Sequence, residues 1–237
     1  DAGSGTGLVA RALERRYRNA GILQLDRSLN MLREAGVAGS FWRRVARVAG
    51  APAPARICGD MERLPLHGRS VDLVCSNLAL EWCERPGEAV REFHRVLTRG
   101  GLLMFTTLGP DTLKELRAVM AAEGALPGVH PFADMHDIGD LLVNSGFADP
   151  VMDMEHLTLT YADLSALFAD LRASGCRCAL ASAHRGLRGG GWPARLGRHY
   201  AAFVQDRRLP ATFEIVYGHA WKPEQGPRVT ADGSAVI

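Results

Sequence analysis

The sequence lacks the features that mark membrane and secreted proteins. No apolar run approaches the roughly 18 residues that a spanning helix requires, and the first residues lack the basic-then-apolar form of a signal peptide. The five cysteines, at positions 58, 75, 83, 176 and 178, are an odd number without the spacing of a disulfide framework or a zinc site. These absences favour a cytoplasmic protein with idle thiols and no membrane partner.

Aromatic residues and grouped metal ligands are also scarce. Aromatic residues make up only 7% of the sequence, and few are interleaved with arginines, which disfavours nucleic-acid binding through base stacking. No grouping of two histidines and one carboxylate stands out, so no metal site is predicted. With 47% apolar residues and a net charge of +2, the 237 residues have the composition of a globular protein with a sizeable core.

The opening stretch, Asp-Ala-Gly-Ser-Gly-Thr-Gly at 1–7, is rich in glycine and leads into a predicted helix at 8–16. Glycine permits positive φ and lets a ligand approach the backbone closely, and a helix N-terminus offers free N–H groups. No Lys-Ser or Lys-Thr follows, which excludes the phosphate loop, and the spacing does not match the G-x-G-x-x-G dinucleotide fingerprint. The G-x-G-x-G form resembles the first motif of class I S-adenosylmethionine (SAM) methyltransferases; an ordinary glycine turn is the alternative.

A turn of this kind should follow a buried β-strand, yet no strand residues precede Asp1 and the chain has no initiator Met. We therefore expect a fragment that lacks at least the first strand of its sheet. Because such a sheet would expose unpaired backbone on both neighbouring strands, we expect the chain to be unstable alone.

Acidic or amide side chains follow three of the predicted strands. Asp26 comes about twenty residues after the glycines, within reach of ribose hydroxyls, unless it only caps a helix, a role that Ser28 can fill. Asp60 and Met61 suit the binding of an adenine ring. The alternative is that Asp60 only forms a turn after Gly59. Asn77 ends the next strand, at the edge where open α/β sheets bind ligands.

Strands and helices alternate along the chain. Strands are predicted at 20–26, 55–61, 71–77, 102–107, 151–161 and 213–221, and helices at 8–16, 86–98, 111–122, 134–144 and 162–174. Asp111 is expected to cap the 111–122 helix, and Arg99-Gly100-Gly101 to end the 86–98 helix. The alternation predicts a doubly wound, mostly parallel α/β sheet.

Five blocks carry a more specific resemblance. They are Ala-Leu-Glu-Trp at 79–82, Gly-Pro-Asp-Thr-Leu-Lys-Glu-Leu at 109–116, His-Pro-Phe-Ala-Asp-Met-His-Asp-Ile-Gly at 130–139, Leu-Pro-Ala-Thr-Phe-Glu at 209–214 and Tyr-Gly-His-Ala-Trp at 217–221. Over residues 1–222 the chain resembles the malonyl-[acyl-carrier protein] O-methyltransferase family of biotin synthesis. We expect residues 223–237 to be a flexible tail.

The resemblance implies a Rossmann-like, seven-stranded methyltransferase domain that transfers a methyl group from SAM to the free carboxylate of a malonyl thioester. The expected cofactor contacts are Asp1, Gly3, Ser4, Gly5, Gly7, Asp26, Arg27, Met31, Asp60, Met61, Asn77 and Leu78. A related family shares these blocks, assists assembly of respiratory complex I and is linked to protein arginine hydroxylation. That function and a non-catalytic SAM-binding module are the alternatives.

Three residues are candidates for the chemistry. A malonyl carboxylate is already ionised at pH 7, so the reaction requires in-line placement and removal of water rather than acid–base catalysis. Trp82 is expected near the methyl group or thioester, where an aromatic wall favours a sulfonium, or else it fills the core. Lys114 or His136 is expected to pair with the carboxylate; an idle surface lysine and a helix-capping histidine are the alternatives.

The region at about 174–208 is predicted to be a helical, arginine-rich insertion. It holds one acidic residue, Asp206, and seven arginines, at 177, 185, 188, 195, 198, 207 and 208. This stretch is either a solvated basic face or a docking surface for an acidic acyl-carrier protein bearing malonyl-phosphopantetheine. The sequence leaves open whether the carrier protein or coenzyme A bears the malonyl group.

Overall fold

The computed structural model describes residues 1–37, 54–123, 132–174, 191–224, 228–229 and 235–236. The helices are α1 (Leu8–Arg16), α2 (Leu29–Val37), α3 (Pro86–Val96), α4 (Lys114–Ala122), α5 (Met135–Asn144), α6 (Leu164–Ala173) and α7 (Trp192–Tyr200), with 3₁₀ turns at Leu80–Trp82 and Ala201–Phe203. The strands are β1 (Leu23–Asp26), β2 (Ala55–Cys58), β3 (Val71–Asn77), β4 (Leu97–Leu108), β5 (Ala148–Tyr161), β6 (Leu209–Trp221), β7 (Arg228–Val229) and β8 (Ala235–Val236).

The strand order is that of a doubly wound sheet, as predicted. β1 pairs with β2 in parallel, and a second group has the order β3-β4-β6-β5, in which β3 and β4 are parallel. Ala2 lies between the two groups, because it forms a parallel bridge with Leu25 of β1 and its backbone N donates to the Cys75 oxygen of β3 (2.8 Å). The order therefore runs from β2 and β1 through the opening segment to β3, β4, β6 and β5.

Helix α3 shows how the sequence pattern produces a core-facing element. Ala89, Val90, Phe93 and Val96 recur at helical spacing and are all buried. The helix ends at Val96 and β4 begins at Leu97, so the predicted stop at Arg99-Gly100-Gly101 was wrong. The Lys222 ammonium donates to the carbonyls of His94 (2.7 Å) and Leu97 (2.8 Å), which satisfies the end of the helix without a glycine cap.

Helix α4 also begins differently from the prediction. Its N-cap position is Leu113, at φ 56°, and no side chain caps the helix. Asp111 accepts a hydrogen bond from the Lys114 ammonium (2.9 Å) instead of from a backbone N–H of the first turn. The predicted capping role of Asp111 was therefore wrong, because its carboxylate pairs with the side chain of Lys114 and accepts no backbone N–H of α4.

The chain divides into two compact units. Unit 1 comprises residues 1–107, 135–153 and 217–237, and unit 2 comprises residues 108–134 and 154–216. The core of unit 2 is built from residues of α4, α6, α7 and β6, with Leu116, Val119, Leu167, Leu196 and Tyr200 at its centre. Within the predicted tail, β7 and β8 form a short antiparallel pair. Among the described helices, none has the length and apolar character needed to cross a bilayer.

Candidate functional site

The glycines of the opening turn adopt conformations that favour glycine. Gly3, Gly5 and Gly7 have φ of 74°, 50° and 77°, in the left-handed region that side chains with a Cβ rarely enter. A Cβ on Gly3 would lie 2.3 Å from the Ala79 Cβ and 3.0 Å from the Met61 Cε. At Gly3 the turn is therefore packed against the residues that follow β2 and β3, with no room for a side chain.

Two carboxylates hold this turn in place. Asp26, at the end of β1, accepts hydrogen bonds from the backbone N of Gly5 (2.7 Å) and of Ser28 (2.7 Å). Asp1 accepts from the backbone N of Ala10 (2.9 Å) in α1. Each ionised carboxylate offers about four acceptor positions, so Asp26 retains acceptor capacity for a ligand hydroxyl while it shapes the turn.

Contacts around Asp26 bring the carboxyl ends of β1 and β2 close together. Ser28 Oγ accepts from the Met31 backbone N (3.4 Å), which confirms that Ser28, not Asp26, caps α2. The backbone N of Gly59, just after β2, donates to the Asp26 carbonyl (3.1 Å). Parallel pairing of β1 and β2 then brings the residues that follow both strands to one edge of the sheet.

Asp60, Met61 and Arg27 form the second part of this edge. Asp60 Oδ1 accepts from the Glu62 backbone N (2.9 Å), and its Oδ2 lies 3.9 Å from Arg27 Nη1. This ion pair is exposed and contributes little stability, so the Asp60 carboxylate remains accessible. The Met61 thioether reaches the space beside Gly3, where it can cover an aromatic ring.

At the end of β3 the side chains of Asn77 and Thr106 meet. Thr106 Oγ1 donates to Asn77 Oδ1 (2.8 Å), and the Leu78 backbone N donates to the Thr106 carbonyl (3.0 Å). Leu78 has a φ of 48°, uncommon for a residue with a Cβ. Sequence reasoning missed Thr106; its signal was a hydroxyl near the end of the strand that follows Asn77, at the edge where ligands bind.

The 3₁₀ turn after β3 carries one exposed and one buried side chain. Trp82 is 44% exposed, so it is not a core residue, and its backbone N donates to the Ala79 carbonyl (3.1 Å). Burial raises the pKa of the Glu81 carboxyl to about 7, partly offset by hydrogen bonds that include one from Thr107 Oγ1 (3.1 Å). Glu81 was missed by sequence reasoning.

The other two catalytic candidates belong to different units. His136 is exposed in the first turn of α5, in unit 1. Lys114 is exposed at the start of α4, in unit 2, and bonds Asp111. That hydrogen bond lowers the pKa of Asp111 and raises the pKa of Lys114.

The residues at the edge in unit 1 fit the nucleoside part of the expected cofactor. The Gly3 position is a cradle that a Cβ would fill, and Ser4 Oγ is buried without a hydrogen-bond partner among the described residues. Backbone N–H groups at the start of α1 and the carboxylates of Asp26 and Asp60 suit a ligand with hydroxyl and amine groups.

Comparison with known proteins agrees with this geometry. A family model described as "Methyltransferase domain" matches residues 1–105. Two solved structures share the fold: the YcgJ protein of Bacillus subtilis, with a TM-score of 0.65 and 14% identity over 95% of this chain and 91% of that one, and an arsenic(III) S-adenosylmethionine methyltransferase of Chlamydomonas reinhardtii, with a TM-score of 0.58 and 18% identity over 96% and 64%.

A curated relative is much more similar in sequence. The malonyl-[acyl-carrier protein] O-methyltransferase of Gallionella capsiferriformans is 48% identical over 237 residues, which covers 100% of this chain and 80% of the relative. The matched region covers the whole chain and so extends well beyond residues 1–105, to which the family model is confined. The chain therefore belongs to the malonyl-[acyl-carrier protein] O-methyltransferase family.

Proposed function

We propose that this protein transfers a methyl group from SAM to the free carboxylate of a malonyl group carried by acyl-carrier protein. The observation that carries the proposal is the identity of 48% with a relative of that name over the whole chain. The methyl ester masks a negative charge, so the product presents an apolar end to fatty-acid elongation enzymes. In this role the protein acts early in biotin (pimeloyl) synthesis.

The cofactor is held at the edge formed by the opening turn and the ends of β1, β2 and β3. The opening turn offers the cofactor the backbone groups of Gly3, Ser4, Gly5 and Gly7, and the three glycines have no side chain to obstruct it. Asp1 fixes the turn to α1. Asp26 binds the ribose hydroxyls, next to Arg27 and Met31. Asp60 and Met61 hold the adenine, and Asn77 and Leu78 close the pocket. Bound SAM supplies an electrophilic methyl group on a sulfonium.

The protein's part in the reaction is positioning. The substrate carboxylate is ionised at neutral pH, so the residues around it must orient one oxygen and exclude water. Trp82 is exposed and offers an aromatic face that attracts a sulfonium by roughly 0.5–2 kcal/mol. Lys114 and His136 are the candidates to hold the carboxylate, and Lys114 must exchange its bond to Asp111 for the substrate.

The test is transfer of label from methyl-labelled SAM in the presence of malonyl-carrier protein, with malonyl-coenzyme A and acetyl-carrier protein in parallel. A base-labile methyl ester on malonyl-carrier protein, absent from the acetyl form that has no free carboxylate, is the expected result. Retention of SAM binding without any label transfer would contradict the proposal and favour a non-methylating function. Equal rates with both malonyl thioesters would remove the carrier protein as the partner.

Docking of the carrier protein is assigned to the arginine-rich residues 177–208. Positions 177, 185 and 188 lie outside the described residues. Arg195 donates to Glu123 (2.8 Å) and Arg208 donates to Thr160 (2.7 Å), whereas Arg198 and Arg207 are exposed. Exposed cations on this stretch attract an acidic carrier protein over a distance of about one Debye length.

Charge reversal tests this docking. Arg198→Glu with Arg207→Glu is expected to raise KM for malonyl-carrier protein about tenfold at low salt, with kcat preserved. KM for malonyl-coenzyme A, which lacks the protein surface, serves as the internal control and is expected to change little. An equal rise in both KM values, or none, would place the docking surface elsewhere.

A further inference from the structure

A compact group of metal-binding side chains lies in unit 2, and the methyl transfer proposed above does not use it as a group. Asp111, His156 and Glu214 each direct a potential ligand atom to one place, with these atoms all within 4.8 Å of one another. His156 Nε2 lies 3.2 Å from Asp111 Oδ2. Glu214 is 4% exposed, and its Oε2 accepts from the Asp111 backbone N (2.6 Å).

The three residues come from three different segments: the loop before α4, the strand β5 and the strand β6. The loop is fixed to β6 by several contacts, because Gly109 N donates to the Glu214 carbonyl (2.9 Å) and Leu113 N to the Thr212 carbonyl (2.6 Å). A Cβ on Gly109 would lie 2.3 Å from Glu214 Cδ. Glycine at this position lets the buried carboxylate lie directly against the loop.

The charges of the group suit a cation. The two carboxylates carry a charge of −2, and the Lys114 ammonium at 2.9 Å from Asp111 Oδ2 reduces it to −1. Lys114 thus stands at the carboxylate where a cation would bind. Its side chain is 50% exposed, so it can leave Asp111 for solvent at little cost.

We infer that Asp111, His156 and Glu214 form a binding site for one divalent first-row transition metal ion. One imidazole nitrogen with two carboxylate oxygens is a ligand set used by ions such as Mn²⁺, Fe²⁺ and Zn²⁺, with water in the remaining positions. Ligands at about 2.0–2.2 Å from a metal require the three side chains to close slightly around it. The ion replaces Lys114 on Asp111 and joins the loop before α4 to β5 and β6.

Direct binding of Mn²⁺ tests the site without SAM or substrate. Free Mn²⁺ gives an electron paramagnetic resonance signal that is lost on binding, so titration of the purified protein yields both stoichiometry and affinity. The expected result is one Mn²⁺ per chain. His156→Gln is expected to weaken binding about tenfold or more, and His67→Gln, at an exposed histidine of unit 1, to leave it unchanged.

The Lys114→Met variant separates loss of a competing charge from misfolding, because the two effects change Mn²⁺ affinity in opposite directions. Removal of the competing ammonium is expected to tighten Mn²⁺ binding several-fold, whereas a damaged protein would bind less. No saturable binding up to millimolar Mn²⁺, binding that survives His156→Gln, or weaker binding in Lys114→Met would each overturn the inference. Methyl transfer is not part of the measurement, so this result is independent of the proposed function.

Discussion

At the scale of single residues, Gly3 is the most constrained position of the candidate site. Its φ is 74°, and a Cβ at this position would lie only 2.3 Å from the Ala79 Cβ, which leaves no space for a methyl group. Gly3→Ala must therefore shift either the turn or the residues after β3. We expect the affinity for SAM to fall by about tenfold or more, measured by calorimetric titration, because backbone strain of this kind costs on the order of 1–3 kcal/mol.

Gly21→Ala is the matched control for this change. Nothing lies within 4 Å of a Cβ at Gly21, and its φ is not in the left-handed region. The control is expected to bind SAM normally. Equal affinities for the two variants would mean that the opening turn does not touch the cofactor.

Glu81 makes stability depend on pH. Its pKa is about 7 in the folded protein against 4.5 for the free group, so the unfolded chain ionises first as pH rises. The folded state is penalised progressively between pH 4.5 and 7, and the penalty is constant above that range. Glu81→Gln removes it and is expected to stabilise the protein at pH 8 by on the order of 1–3 kcal/mol.

Thermal unfolding of the Gln variant at several pH values checks this prediction. The gain in Tm of the variant over the parent protein should shrink as the pH is lowered toward 4.5. At that pH the folded parent carries a neutral Glu81, so the two folded proteins no longer differ in charge. Glu84→Gln, at an exposed position, is the control and should leave Tm unchanged throughout. If the gain in Tm of Glu81→Gln over the parent protein were no larger at pH 8 than at pH 5, the raised pKa of the Glu81 carboxyl would be contradicted.

The residues at the strand ends were predictable because their positions follow from local spacing. Asp26 follows a short apolar run, and the glycines immediately precede a helix. Glu81 and His156 were not predictable, since the properties that matter depend on distant neighbours: Thr107 lies 26 residues from Glu81, and Glu214 lies 103 residues from Asp111. No short-range pattern brings these pairs together.

At the scale of elements, a buried hydroxyl joins α7 to the start of β6 within the unit 2 core. Tyr200 is 0% exposed, and its OH donates to the Pro210 carbonyl (2.7 Å). Tyr200→Phe leaves that carbonyl without this donor. We expect a loss of about 1 kcal/mol of unfolding free energy, measured by denaturant titration, with Tyr17→Phe at a 45% exposed ring as the neutral control.

A loss well above this value would mean that the ring itself repacks, and no loss would mean that the carbonyl finds another donor.

Element positions were predicted better than their ends. Helix α1 matches the apolar pattern at 8–16, but β4 and β6 begin earlier than predicted, at Leu97 and Leu209. Strand ends are set by partners in the sheet, such as the pairing of Leu97 with Val71, and a single sequence does not contain that information.

At the scale of the whole molecule, parallel pairing explains how scattered polar residues come to one edge. The doubly wound fold was predictable from strand–helix alternation, and the family from its specific blocks. The order of the strands was not predictable, because it depends on which edges pair in three dimensions. That order places Asp26 and Asn77, the last residues of β1 and β3, beside the glycine turn together with Asp60, which follows β2.

The most direct test is a crystal structure of the protein with bound S-adenosylhomocysteine, the product form of the methyl donor. We expect the ribose within hydrogen-bond distance of Asp26, the adenine between Asp60 and Met61, and the sulfur facing Asn77 and the turn that carries Trp82. A nucleoside bound at any other edge of the sheet, with the glycine turn and Asp26 untouched, would contradict it.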